Sequence, residues 1–181
     1  MRKAELRRSL IRERRAISVG EWRQRSDRIC RKLQCHPLFS QATTILAYFS
    51  FRQEPDLSPL FTDTQYNWGF PRCVGQSLNW HFWTPEESLH ENAYGILEPH
   101  AHSPIIEPAA VDLILVPCVA CDYQKYRLGY GGGYYDRLLS SAPWANKPTI
   151  GIVFDFAYLS QLPIDSWDKP LKLVVSENYC I

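Results

Sequence analysis

Two uninterrupted apolar runs, VDLILVP (111–117) and PTIGIVF (148–154), set the strongest limit on how this chain can fold. Neither alternates polar with apolar side chains, so neither can keep one face in water. Each reads as a strand buried on both faces of a parallel sheet. Between them lie a glycine loop and a helix from about Tyr134 to Ser141. TTILAYF (43–49) is a third strand by its β-branched and aromatic content, and YNWGFP (66–71) and the alternating LNWHFW (78–83) are two more. Strands alternating with helices around buried runs predict an α/β fold: one layered domain with a mostly parallel central sheet flanked by helices.

The remaining segments suit the helical layers. Leu6, Leu10, Ile11 and Ile17 share one side of a helix over Arg2 to Ile17. Ser18 and Glu21 form a capping box that opens a second helix. Its stripe of Val19, Trp22, Ser26, Ile29 and Leu33 recurs at intervals of 3, 4, 3 and 4 and should be buried. FRQEPD makes a proline-broken loop before a short helix ending near Leu60, and Thr84, Pro85 and Glu87 should start a brief helix. Glu91 to Pro108 is polar and proline-rich. With 181 residues and no repeat or composition break, residues 1–181 are expected to form one domain.

Composition removes several classes of protein. With 45% hydrophobic and 22% charged residues the chain is globular rather than disordered. Its longest apolar runs are about half of what a bilayer span needs. No charged-then-apolar secretory segment opens it, and the six cysteines (30, 35, 73, 118, 121 and 180) are too few for a disulfide scaffold, so the expected compartment is the reducing cytoplasm. Cys118 and Cys121 form a C-x-x-C, but no second pair completes a zinc site, and two buried thiols at a strand end are expected. His100 and His102 are expected at the surface.

Charge is unevenly spread. Residues 1–32 carry 12 Lys+Arg against 4 Asp+Glu, a net of +8, whereas the rest of the chain carries −7. Such a basic arm suits a nucleic-acid contact, a transit peptide or a phosphorylated small molecule. Glu5, Glu13, Glu21 and Asp27 speak against the transit peptide, and an arm with Trp22 as its one aromatic lacks the stacking platforms of single-strand binders. Most of these arginines are expected to form a solvated face.

The segment with the most chemical content is RLGYGGGYYDR, Arg127 to Arg137. Glycines between a buried strand and a helix let backbone N–H groups approach an anion, and phosphate is the expected guest. No Gly-Lys-Ser/Thr closes the run, and Tyr134 stands where the dinucleotide fingerprint needs its last glycine, so it is neither of those loops. Arg127 before the glycines suits phosphate, and Asp136 after them suits magnesium. Lys3 and Arg7, four apart, point to one side of their helix and could grip phosphates.

DLILVP (112–117), Asp122 and RLGYGGGYYDR together closely resemble the 5-formyltetrahydrofolate cyclo-ligase (5,10-methenyltetrahydrofolate synthetase) family. KAELR (3–7), FSFRQE (49–54), YGILEP (94–99) and WDKPL (167–171) resemble further family segments in the right order, so the likeness spans nearly the whole chain. The chain departs from the family pattern at Cys121, where Phe precedes the aspartate, at Lys125, where a glycine is usual, and at Lys172, where an acidic residue is common.

The resemblance implies an ATP- and Mg²⁺-dependent ligase that converts 5-formyltetrahydrofolate to 5,10-methenyltetrahydrofolate, ADP and phosphate. It implies ATP contacts at Lys3, Ala4, Glu5, Leu6 and Arg7, and at Arg127, Leu128, Gly129, Tyr130, Gly131, Gly132, Gly133, Tyr134 and Tyr135. Folate would meet Phe49, Glu54, Tyr130, Gly131, Gly132, Gly133 and Tyr134, with Arg127 and Tyr134 serving catalysis. Asp136 and Asp168 would hold the metal. A monomer acting on small molecules, with no nucleic-acid or membrane partner, is expected. The competing expectations are a phosphate-binding sugar-phosphate or acyl-CoA-type enzyme of similar layering, and an RNA-binding module using the basic helices.

Overall fold

A computed structural model of the chain describes residues 2–181. Among them are four α-helices, α1 (Lys3–Ala16), α2 (Val19–Gln34), α3 (Pro37–Ser40) and α4 (Tyr134–Ser140), and three single-turn 3-10 helices, of which Ser58–Leu60 is the short helix expected there. The strands are β1 (Thr44–Leu46), β2 (Asn67–Val74), β3 (Ser77–Phe82), β4 (His90–Glu91), β5 (Leu97–Glu98), β6 (Leu113–Pro117), β7 (Ala120–Asp122), β8 (Arg127–Leu128), β9 (Thr149–Ile152), β10 (Tyr158–Leu159) and β11 (Leu173–Val175).

Six strands form the main sheet in the order β11-β9-β6-β1-β2-β3, parallel throughout except for the antiparallel β2–β3 hairpin at one edge. The continuous apolar run of β6 explains its place inside the sheet. Leu113 and Leu115 pack with Ile29 and Leu33 of α2 and Phe39 of α3, while Ile114 and Val116 pack with Leu10 of α1 and Leu138 and Leu139 of α4. Successive side chains of one strand thus feed two cores, as a double-sided strand must. Two small sheets complete the fold, β10-β7-β8 and the β4–β5 hairpin.

Several local expectations change. Glu21 N donates to Ser18 Oγ at 3.2 Å, so the second helix starts at the expected cap, but Val19 is 60% exposed because it lies in the first turn, off the packed stripe. Thr84 to Glu87 closes as a turn (Glu87 N to Thr84 O, 3.0 Å), not a helix, and Trp83 just before it donates its backbone N–H to Trp68 O of β2 (3.2 Å) and its ring N–H to Glu87 O (3.1 Å). The β4–β5 hairpin begins at His90 and runs into the polar stretch, and its two-residue strands are too short for periodicity to reveal. At Lys125 the backbone is left-handed (φ 68°), the conformation that favours the glycine usual there. The turn is held by buried Asp122, whose carboxylate accepts from the Gln124, Tyr126 and Leu162 N–H groups, each at 3.0 Å. Among the described residues no helix is long and apolar enough to cross a membrane.

Candidate active site

Strand order reverses at β1, with β2 to one side and β6 to the other, and in open α/β sheets ligands bind beyond the carboxyl ends of strands at such a point. The chain leaving β1 supplies Tyr48, Phe49 and Glu54, and β6 ends in Pro117. All four line a cleft of about 680 Å³. The glycine loop closes one wall, α1 another, and residues 165–168 the rim.

Of the residues singled out from sequence, Lys3, Arg7, Phe49, Glu54, Arg127, Leu128, the stretch Gly129 to Gly133, Tyr134, Tyr135, Asp136 and Asp168 all line this cleft. Ala4, Glu5 and Leu6 do not. Ala4 and Glu5 are exposed, Glu5 Oε2 instead accepts from Arg2 N (3.2 Å) at the helix start, and Leu6 packs on the core. Lys3, Arg7, Leu10 and Arg14 share one face of α1. A basic residue on the face that carries buried Leu10 was the signal available for Arg14, which the sequence reading did not pick out.

Arg14 is buried and ties the walls together. Its Nε donates to Arg52 O (3.0 Å), its Nη2 donates to Tyr130 Oη, and its guanidinium lies 5.6 Å from the Tyr130 ring centre. Arg7 Nε donates to Gly129 O at 2.6 Å, and its guanidinium faces Gly131. Arg7 therefore braces the loop as well as facing the cleft, and burial lowers its pKa. Gly131 and Gly133 adopt φ 101° and 72°, conformations L side chains rarely take, whereas Gly132 does not. Helix α4 has seven residues, so the loop amides matter more here than its dipole.

Glu54 is buried, and Phe51 N donates to its Oε2 at 3.0 Å. Burial raises its pKa to about 7, an effect that nearby Arg14 and the Phe51 and Tyr130 hydrogen bonds offset in part. The Phe49 ring is stacked on Phe70 (4.0 Å, 11°), so one face is already covered. Tyr134 donates its hydroxyl to Gly75 O (3.1 Å), and Arg137 lies 5.2 Å over its ring. The buried Tyr135 hydroxyl has no hydrogen-bond partner among the described residues.

Opposite charges alternate at the rim. Arg127 donates to Asp136, and Lys3 Nζ contacts both Asp165 and Asp168 at 2.6 Å. Burial works against the Asp168 anion, but Lys3 and the Asp165 N–H outweigh it and hold its pKa down, with Arg127 adding to the effect. Among the described residues no three His, Cys, Asp or Glu side chains converge to hold a metal. Asp136 and Asp168, two carboxylates beside the cations of this cleft, nevertheless suit Mg²⁺, which takes one or two carboxylates and completes its shell with phosphate oxygens and water. Cys118 and Cys121 are buried free thiols, and His100 is half-buried, its ring stacked 5.2 Å from that of exposed His102.

Fold and cleft define an α/β enzyme of the doubly wound type, with its main cleft at the switch point of the sheet. The profile of the 5-formyltetrahydrofolate cyclo-ligase family matches residues 1–177, and the chain belongs to that family. It is a ligase of folate one-carbon chemistry. The 5-formyltetrahydrofolate cyclo-ligase of Escherichia coli strain K12 is 29% identical, covering 93% of this chain and 97% of its own. That of Haemophilus influenzae is 32% identical, over 72% and 74% of the two chains. The solved Aquifex aeolicus 5,10-methenyltetrahydrofolate synthetase superposes with a TM-score of 0.88 at 33% identity, covering 99% of this chain and 92% of that one. The sugar-phosphate and RNA-binding alternatives give way to this family.

Proposed function

We propose that the protein uses ATP and Mg²⁺ to close 5-formyltetrahydrofolate into 5,10-methenyltetrahydrofolate in this cleft. The observation that carries the reading is one cleft that gathers a buried carboxylate, Glu54, the cations Lys3, Arg7 and Arg127, and a glycine loop left-handed at Gly131 and Gly133. A formyl oxygen is a poor leaving group, so it must become a phosphate ester. It attacks the γ-phosphorus and displaces ADP, N10 closes on the resulting iminium carbon and loses its proton to solvent, and phosphate departs with the former formyl oxygen. Such a transfer asks the protein to position groups and neutralise charge. Lys3, Arg7 and the amides of Gly129 to Gly133 hold the phosphates. Arg127 neutralises the oxygens that gain charge, and Tyr134 lines the same cleft while its hydroxyl bonds Gly75 O. Asp136 and Asp168 would hold the magnesium ion, which supplies charge neutralisation at the phosphate oxygens. Six free cysteines fit a reducing, cytoplasmic setting, and nothing in the reaction needs a second subunit.

Glu54 accepts hydrogen bonds from the pterin edge in this account, and it must be ionised to do so with both oxygens. Its unliganded pKa of about 7 then makes folate affinity depend on pH. Affinity should fall by about tenfold per pH unit below 7, where binding must first expel a proton, and level off above it. In Glu54→Gln that pH dependence should vanish while the folate KM rises far more than the ATP KM. Kinetics from pH 5.5 to 8.5 test this, and equal rises in both constants would give Glu54 a structural role.

The variant Lys3→Ala/Arg7→Ala should raise the ATP Kd by about tenfold to a hundredfold, from lost charge-assisted contacts. Folate binding should hold. Calorimetric titration decides it, and an unchanged ATP affinity would assign both residues to the solvated face.

A further inference from the structure

Arg8, Arg12 and Arg15 of α1 are exposed, whereas Arg14 is 3% exposed and has no carboxylate at ion-pair distance among the described residues. A buried cation without such a partner costs stability, so packing alone does not account for it. Its contacts do. Nε donates to Arg52 O at 3.0 Å and Nη2 donates to Tyr130 Oη, so one guanidinium spans two segments far apart in the chain.

The first segment is the turn that presents Glu54. Arg52 and Gln53 hold left-handed backbone there (φ 49° and 55°), a conformation that side-chain-bearing residues keep only where their surroundings enforce it. The Arg14 bond and a second one, Gln53 Nε2 to Ile17 O at 3.2 Å, hold the turn against the helix. Glu54 N donates to Phe51 O (3.1 Å) and Phe51 N to Glu54 Oε2 (3.0 Å), so the carboxylate moves with the turn. The second segment is the glycine loop. Tyr130 lies between Gly129, whose carbonyl accepts from Arg7 Nε, and left-handed Gly131. Its ring centre is 6.1 Å from that of Phe51, and its hydroxyl, which accepts from Arg14, hydrogen-bonds the Glu54 carboxylate.

We propose that Arg14 is a positioning residue that links the glycine loop to Glu54 through Tyr130, so that ATP and folate each tighten the binding of the other. A phosphate held by the loop amides fixes Tyr130. Tyr130 and Arg14 then fix the turn that carries Glu54, and folate meets a site already ordered. Coupling between binding sites is reciprocal, so the two ligands must shift each other's affinity by the same factor. This coupling rests on phosphate lying at the loop and the pterin at Glu54, as proposed above.

The test is calorimetric titration of 5-formyltetrahydrofolate with and without saturating Mg²⁺ and the β,γ-imido analogue of ATP, which cannot pass on its phosphoryl group. In the wild type the analogue should lower the folate Kd about tenfold, and folate should lower the analogue Kd by the same factor. In R14M, and separately in Y130F, that factor should vanish, and R14M/Y130F should lose no more than either single variant because both act in one chain of contacts. A packing role for Arg14 would instead weaken both ligands and leave the factor intact. Acidification gives a second readout. Among the groups that act on Glu54, which are Arg14, Tyr130, Tyr48 and Tyr135, Arg14 is the one cation, so in R14M the loss of folate affinity should set in at higher pH than in the wild type. Independent binding of the two ligands in the wild type, or a factor that survives in folded R14M or in Y130F, would overturn the proposal. Tyr130 is 37% exposed, so Y130F keeps the test open if R14M fails to fold. Failure of the ligand placement is separable, since it appears as a folate affinity unmoved by Glu54→Gln or an ATP affinity unmoved by Lys3→Ala/Arg7→Ala.

Discussion

Gly131→Val is expected to reduce turnover by at least about a hundredfold while leaving most of the protein folded. Gly131 sits at φ 101°, where a β-branched residue is a genuine outlier. A Cβ there would meet the Arg7 guanidinium at 3.5 Å, an ordinary contact, so space is available and the backbone angle is what valine cannot satisfy. The loop must re-route, and its amides then lose the arrangement proposed to hold phosphate. The neighbour provides a control. Gly132 has no left-handed angle, and a Cβ there crowds the Tyr134 ring at 3.1 Å, so Gly132→Ala should cost less than Gly131→Val. A thermal melt accompanies the rates, with a loss of roughly 1–2 kcal/mol expected for Gly131→Val. Folded Gly131→Val with normal activity would remove the loop from catalysis.

Asp136→Asn should lower turnover by about two orders of magnitude and shift its magnesium dependence to higher concentration, with the fold almost intact. The amide keeps the shape of the side chain and loses the charge that a hard cation wants. The carboxylate has a second contact, the Arg127 guanidinium, which is largely buried. Neutralising its partner leaves that cation less well matched, so some loss at saturating magnesium is also expected. If Asp136 served only the start of α4, its removal would cost about 0.3–1 kcal/mol of stability and leave activity alone. Initial rates across a magnesium titration, beside a melt, separate the two patterns. Wild-type rates at low magnesium would leave Asp168 as the sole metal carboxylate.

Much of the fold was legible because burial on two faces leaves an unmistakable record: β6 and β9 are apolar throughout, and they lie side by side inside the sheet. The α2 stripe was legible through its spacing, save at Val19, where being first in a helix outweighs being apolar. The short strands β4, β5, β7, β8 and β10 were not, because two or three residues carry no period and owe their pairing to tertiary contacts. The glycine loop and the Lys3–Arg7 spacing pointed to the cleft directly. Arg14, Asn92, Glu98 and Asp165 did not, since a buried arginine looks like its eleven basic neighbours in residues 1–32, and the others reach the cleft from loops and a hairpin. Glu5, inside a family segment, lies outside the cleft lining, and its carboxylate accepts from Arg2 N at the helix start.

The central claim is that this chain closes the methenyl ring at the expense of ATP. Mixing folded protein with ATP, Mg²⁺ and 5-formyltetrahydrofolate should generate the conjugated 5,10-methenyl chromophore, with one phosphate released for each ring formed and no absorbance change when ATP is left out. A folded protein that binds both substrates yet produces no chromophore would contradict the account.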